Sequence, residues 1–215
     1  MELSDSIKYL QEYLEENSTK EDEVLHDLRR YTYLKVIHPR MLSGPLLGKF
    51  LEMVSGLIRP EKILEIGTYT GYSAICLARG LKPGGELFTI DINDELQEKT
   101  RTFFDRAGLT DRIRCITGNA IEIIPTLDDE FDLVFIDGEK EEYIDYYNCV
   151  FPRLKTGGII LADNVLWDGK VMEPEEKMDS ATRSIYDFNR MISADSRVEN
   201  VILPLRDGIN LIRKK

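Results

Sequence analysis

The chain has 215 residues, and its 28 Lys and Arg against 39 Asp and Glu give a formal charge of −11. That balance argues against general nucleic-acid binding, which needs concentrated basic residues to neutralise phosphate. A hydrophobic share of 42% excludes a disordered tail and suffices for a packed core.

Residues 1–60 read as helices. Leu3, Ile7, Leu10 and Leu14 recur at helical spacing. Ser18 and Glu21 have the spacing of a capping box ahead of a second helix with Val24, Leu25, Leu28 and Tyr31. HPRMLSGP breaks the pattern, and a third helix carries Leu46, Leu47, Phe50, Leu51, Val54, Leu57 and Ile58. From Lys62 the character changes. Short apolar runs (KILEIG, ELFTIDI, RIRCIT, FDLVFID, GGIILAD) alternate with helical segments such as GYSAICLARG and DELQEKTRTFFDRAG. This alternation predicts an α/β, doubly wound, mostly parallel sheet covered on both faces. A polar stretch from Asn164 to Asp179 and a helix over 180–194 follow. VENVILPL and INLIRKK are separated by Arg206-Asp207-Gly208, whose Asp-Gly is a hairpin signal, so the seventh and last strand is expected to run antiparallel. The length fits one domain, 1–215, with the 1–60 helices packed on a 61–215 core.

No run of about 18 apolar residues is unbroken, so no membrane-spanning helix is expected. The start, MELSDSIKYL, lacks the features of a secretory signal. Cys76, Cys115 and Cys149 are scattered without CxxC spacing, which fits a reducing, cytoplasmic setting. His26 and His38 form no ligand cluster and read as structural or surface residues.

The first strand ends in Glu65-Ile66-Gly67-Thr68-Tyr69-Thr70-Gly71-Tyr72-Ser73. In such sheets ligands bind beyond the carboxyl ends of the strands. Gly67 permits a sharp turn and close backbone approach, and Ser73 offers a hydroxyl near a helix start, suited to a carboxylate. GxxxG lacks the middle glycine of the dinucleotide fingerprint. That favours a nucleoside without a diphosphate, above all S-adenosylmethionine. Asp91 ends the second strand, where an acid accepts from ribose hydroxyls. Gly118-Asn119-Ala120 follows the third, where an adenine edge would lie.

Strand four ends in Asp137 and strand five in Asp163-Asn164. If these strands are neighbours, about 4.8 Å apart, two carboxylates and an amide oxygen converge. Such carboxylates repel unless a cation sits between them. Oxygen ligands suit a hard divalent cation, Mg²⁺ first, with Ca²⁺ or Mn²⁺ as alternatives. Lys140, three residues past Asp137, falls on the same side if the loop continues into a helical turn. Beside a cation and a cationic cofactor its pKa should fall, making it a proton acceptor for a hydroxyl.

RMLSGPLLGKFL, LEIGTYTGYS, TIDIN, FIDGEKEEY, LADNVLWDG and LPLRDGINLIR, in this order, resemble the class I cation-dependent O-methyltransferases of the caffeoyl-CoA type. Catechol O-methyltransferase is a more distant relative. The resemblance runs from about Leu25 to Arg213. It implies the Rossmann-like methyltransferase fold, with Met41, Ser43, Glu65, Gly67, Thr68, Ser73, Asp91, Asn119, Ala120, Asp137, Glu139 and Tyr146 around the cofactor. It also implies Asp137, Asp163 and Asn164 as metal ligands, Lys140 and Asp137 as the catalytic pair, and Trp167 as a wall of the acceptor site. Arg206 stands where relatives often have a small residue and is expected to fill part of that site. Plant members usually read Asp-Ala-Asp-Lys where this chain has Asp137-Gly138-Glu139-Lys140, so Glu139 reaches one methylene further. The N-terminal segment lacks a clear match to residues that bind coenzyme A. Members are commonly homodimers. The implied reaction is methyl transfer to a small, catechol-like acceptor. Other readings are the same chemistry on a hydroxylated tRNA nucleoside, a nicotinamide-dependent oxidoreductase, or a non-catalytic cofactor-binding module.

Overall fold

The computed structural model describes residues 3–215, with the side chains of 1–8 and 11 left undescribed. Helices α1 (Leu3–Glu16), α2 (Glu23–Lys35) and α3 (Gly44–Ile58) precede the first strand. Then follow β1 (Lys62–Ile66), α4 (Tyr72–Ala78), β2 (Glu86–Asp91), α5 (Gln97–Arg106), β3 (Ile113–Thr117) and α6 (Ala120–Ile123). The chain continues with β4 (Phe131–Ile136), α7 (Tyr143–Val150), β5 (Leu154–Ala162), α8 (Ser180–Ala194), β6 (Val198–Leu203) and β7 (Ile209–Lys214). Sheet order is β3-β2-β1-β4-β5-β7-β6. Strands β1 to β5 pair in parallel, and β7 runs antiparallel to both β5 and β6. The alternation and the Asp207-Gly208 turn therefore predict the observed sheet.

The central strands are buried on both faces, as the unbroken apolar runs of β1 and β4 require, while the edge strand β6 is largely exposed. One face packs Ile63, Leu133 and Phe135 against Leu28, Leu47, Leu51, Ile75 and Phe104 of the helices in the N-terminal half. The other packs Leu64, Val134, Ile136 and Ile160 against Tyr143, Tyr147, Ile185 and Phe188. Order reverses between β1 and β4, and the crevice at their carboxyl ends is where such sheets place ligands.

One local expectation is corrected. The cap of α2 is Asp22, whose side chain accepts from Leu25 N, rather than Ser18. Ser18 instead donates to Leu14 O at the end of α1, and Glu21 is drawn away by Tyr72 and Arg29. Of the apolar positions assigned to α1, Leu10 and Leu14 are exposed, and the side chains of Leu3 and Ile7 lie outside the described residues. Finally, Pro39–Ile58 is long and apolar enough by composition to cross a membrane. Extended backbone at Leu42 breaks it, however, and the 15 residues of α3 span only about 22 Å, short of a hydrocarbon core of about 30 Å. Its Leu47, Gly48, Leu51 and Ser55 are buried in the protein. All three cysteines are free thiols.

Candidate active site

The glycine turn grows directly out of β1. Gly67 has φ +100, and a Cβ there would lie 2.2 Å from the Asp137 carbonyl oxygen. The first turn thus presses against the residue that ends β4, and only glycine fits. Backbone bonds fix each: Asp137 N donates to Ile66 O at 2.9 Å, tying the β4 end to β1, and Gly67 N donates to Ile90 O at 2.9 Å, tying the turn to β2. The Thr68 hydroxyl meets Thr89 Oγ1 at 2.5 Å.

Glu65 is fully buried on β1 beneath this turn. Its Oε2 accepts from Thr89 Oγ1 at 2.5 Å, while Oε1 has no protein partner. Burial pushes its carboxyl up to about 8, although the Ser73 and Thr89 hydroxyls pull the other way and the charges of Asp137 and Asp91 add to the rise. A buried acceptor without a partner is costly, and here it fits a ligand that brings a donor. Asp91, ending β2, accepts from Tyr69 N at 2.8 Å and Asn93 N at 2.9 Å. Those amides fix the carboxylate in the crevice, beside Thr68, Gln97 and Thr117. Asn119 caps α6 through Ile121 N at 2.8 Å, and Ala120 is buried behind it.

Strands β4 and β5 are neighbours in register, Ile136 opposite Ala162, so Asp137 and Asp163 emerge side by side. Asp163 N donates to Ile136 O at 2.9 Å, and Asp163 Oδ1 accepts from Asn164 N at 2.8 Å. Asn164 has φ +58, an unusual conformation for a non-glycine residue. Burial and then the Asp137 charge hold the Asp163 carboxyl well above the usual carboxylate range. Two oxygen acids and an amide at one strand edge, with one acid strained by its neighbour's charge, are a donor set that a hard divalent cation would relieve.

Lys140 Nζ donates to Asp137 Oδ1 at 3.0 Å and to the Tyr143 hydroxyl at 2.9 Å. A short 3-10 turn over Lys140–Glu142, capped by the Glu139 carboxylate, brings it to the same side as Asp137. Burial opposes its charge, but the Tyr143 oxygen and the Asp137 carboxylate outweigh that and hold the lysine above its ordinary pKa. The lowering expected beside a cation and a cationic donor concerns the loaded site; in the chain alone the groups that touch Nζ are an acid and a hydroxyl.

Tyr143 is a site residue that spacing did not reveal. Its hydroxyl also donates to Asp163 O at 2.9 Å, tying Lys140 to the β5 end. The available signal was its i+3 distance from Lys140. Thr89, under Glu65, was hidden inside the β2 run.

The remaining predicted residues spread around this centre. Tyr146 is buried under Gly138, its hydroxyl 2.6 Å from Glu142 Oε2 and 3.3 Å from Glu139 N. The Glu139 side chain caps its own turn. Ser43 is buried at the start of α3, and Met41 is exposed in the preceding 3-10 turn. Arg206 reaches back to the carbonyls of Leu42 (3.1 Å) and Ser43. It therefore ties the β6–β7 connection to the N-terminal segment. Trp167 follows Asn164 with φ +48, its indole N–H buried without a protein partner. The segment is fastened to the hairpin, Leu166 N to Asp207 O at 2.9 Å and Asp168 N to Asp207 Oδ1 at 2.6 Å.

A family model described as O-methyltransferase matches residues 15–215. A catechol O-methyltransferase of Niastella koreensis is 37% identical over 171 residues, covering 78% of this chain and 77% of that protein. Caffeoyl-CoA O-methyltransferase 5 of Nicotiana tabacum is 33% identical over 220 residues, covering 95% and 90%. Among solved structures, SAH-bound methyltransferase PaMTH1 of Podospora anserina has a TM-score of 0.91 at 27% identity, covering 100% of this chain and 97% of that one. The O-methyltransferase TomG of Streptomyces achromogenes, in complex with SAM, has a TM-score of 0.90 at 28% identity over 100% of both chains. Fold, crevice and sequence agree: the chain belongs to the O-methyltransferase family and is an enzyme of that class.

Proposed function

We propose that this enzyme transfers the methyl group of S-adenosylmethionine to one hydroxyl of a small vicinal-dihydroxy acceptor, with a divalent cation, Mg²⁺ first, held by Asp137, Asp163 and Asn164. The observation that carries this reading is the side-by-side emergence of Asp137 and Asp163 at the β4 and β5 ends, with Lys140 Nζ 3.0 Å from Asp137. The orphan Glu65 oxygen, the fixed Asp91 carboxylate and the cofactor named in the TomG complex support the choice of methyl donor.

Bound there, the cation supplies Lewis-acid polarisation of an acceptor oxygen. The other tasks fall to the chain. Glu65 and Asp91 hold the donor, and Gly67 lets it approach the backbone. Trp167 and the segment fastened to Asp207 cover the acceptor and exclude water. Nucleophile and methyl group must stand in line near 3 Å apart, so positioning is the main contribution. As the O–CH₃ bond forms, the S–CH₃ bond breaks and its electron pair stays on sulfur, giving S-adenosylhomocysteine. Lys140 Nζ takes the hydroxyl proton. It must first lose its own proton to solvent, and a cation competing for Asp137 would favour that loss.

The test is methyl transfer from labelled S-adenosylmethionine, in excess Mg²⁺, to catechols, a caffeoyl thioester and bulk tRNA. Labelling of the catechols supports the reading. Labelling of tRNA alone would move the acceptor to nucleic acid.

A further inference from the structure

The glycine turn is fastened from outside the sheet as well as within it, and the outer fastenings come from α2 and the loops that flank it. The Thr70 hydroxyl meets Thr32 Oγ1 at 3.1 Å, and both residues are buried. Thr32 Oγ1 is the donor toward Thr70 Oγ1 and also toward Leu28 O at 2.9 Å, so its one proton is shared between the two acceptors. Two residues further on, the Tyr72 hydroxyl donates to Glu21 Oε2 at 2.7 Å, and Arg29 holds the other oxygen of that carboxylate at 2.5 Å. On the other side, the Tyr69 hydroxyl donates to Ile37 O at 3.2 Å and His38 O at 3.3 Å. Tyr69 has φ +47, a conformation that costs on the order of 1 kcal/mol and needs support from its surroundings. Its N–H is also one of the two amides that aim Asp91.

We infer that Thr32 and Glu21 are positioning residues of methyl transfer: through Thr70 and Tyr72 they hold the turn in the shape that binds the methyl donor. The inference rests on the assignment of that turn to S-adenosylmethionine. Neither residue lies on the turn; they act across the α2–α4 contact. Arg79 to Asp22 and Arg106 to Asp27 also join the start of α2 to the end of α4 and α2 to α5. The Thr32–Thr70 pair is worth most because no solvent is available to replace a lost partner in a fully buried site.

The experiment is calorimetric titration of S-adenosylhomocysteine into the full-length protein, its Thr32→Val and Thr70→Val variants and the double variant, with kcat measured alongside. Each single variant should weaken binding about fivefold, the worth of one buried hydrogen bond, with kcat close to wild type. The double variant should bind no worse than the weaker single one, and Thr32→Ser should restore affinity. Tyr72→Phe, which tests the Glu21 tether, should also weaken binding. Wild-type affinity in the valine and phenylalanine variants, with only a lower melting temperature, overturns the inference. Independent, additive losses at Thr32 and Thr70 overturn it too. A wild-type protein that does not bind S-adenosylhomocysteine at all overturns the donor assignment itself, and the inference with it.

Discussion

Asp137 Oδ1 accepts from Lys140 Nζ at 3.0 Å, while the next strand end presents Asp163 beside it. On the proposed reading this one carboxylate would serve both the base and the cation, and its allegiance would set the proton affinity of the lysine. Lys140→Met should lower kcat roughly 100-fold or more, the usual worth of a positioned acid or base. Affinity for S-adenosylhomocysteine should stay near wild type, since the lysine contacts the Asp137 edge and not the glycine turn. Steady-state kinetics paired with a binding titration checks this, and an unchanged kcat removes Lys140 from the mechanism.

Gly67→Ala should be disproportionately damaging for a single added methyl. The new Cβ would lie 2.2 Å from the Asp137 carbonyl oxygen on a backbone at φ +100. Relief requires moving either the turn or the β4 end, and such strain costs on the order of 1–3 kcal/mol. The expected outcome is a lower melting temperature together with loss of S-adenosylhomocysteine binding. A stable variant that binds normally would show that the turn yields freely.

Glu65 makes the ligand-free enzyme sensitive to pH in a definite direction. Its carboxyl lies near 4.5 in the unfolded chain and is raised to about 8 by burial in the folded one. The folded state therefore binds the proton more tightly. This contribution is complete below about pH 4.5, declines as pH rises, and is gone above about pH 8. The difference is on the order of a few kcal/mol. Urea midpoints of wild type should fall across this window relative to Glu65→Gln, which has no proton to lose. Parallel pH profiles for the two proteins would contradict the assignment.

Much of this architecture was legible because apolar runs end on polar residues at strand ends. KILEIG, TIDIN, FIDGEK and LADN mark Glu65, Asp91, Asp137 and Asp163, and the parallel pairing of β1, β2, β4 and β5 puts them along one edge. Contacts between distant segments were not legible. Asp22 rather than Ser18 caps α2 because Glu21 is recruited by Tyr72, 51 residues away. Tyr143 joins the site by reaching the Asp163 carbonyl 20 residues on, which no local spacing encodes. That Tyr143 joins Asp137 at Lys140 Nζ is likewise a matter of packing rather than pattern.

Trp167 belongs to the segment fastened to Asp207, and its indole N–H is buried and unpartnered by protein. Trp167→Ala should raise the acceptor KM roughly tenfold, the worth of part of a large apolar side chain. Donor affinity should not change. Equal loss of donor and acceptor affinity would mean that the indole supports the fold of the loop instead of the acceptor.

The most direct test is catechol methylation by enzyme stripped with EDTA and then titrated with Mg²⁺. A cation held by Asp137, Asp163 and Asn164 requires no turnover in chelator and full recovery as Mg²⁺ is added, with Asp163→Asn recovering only at much higher Mg²⁺. Full activity in the presence of EDTA would contradict it.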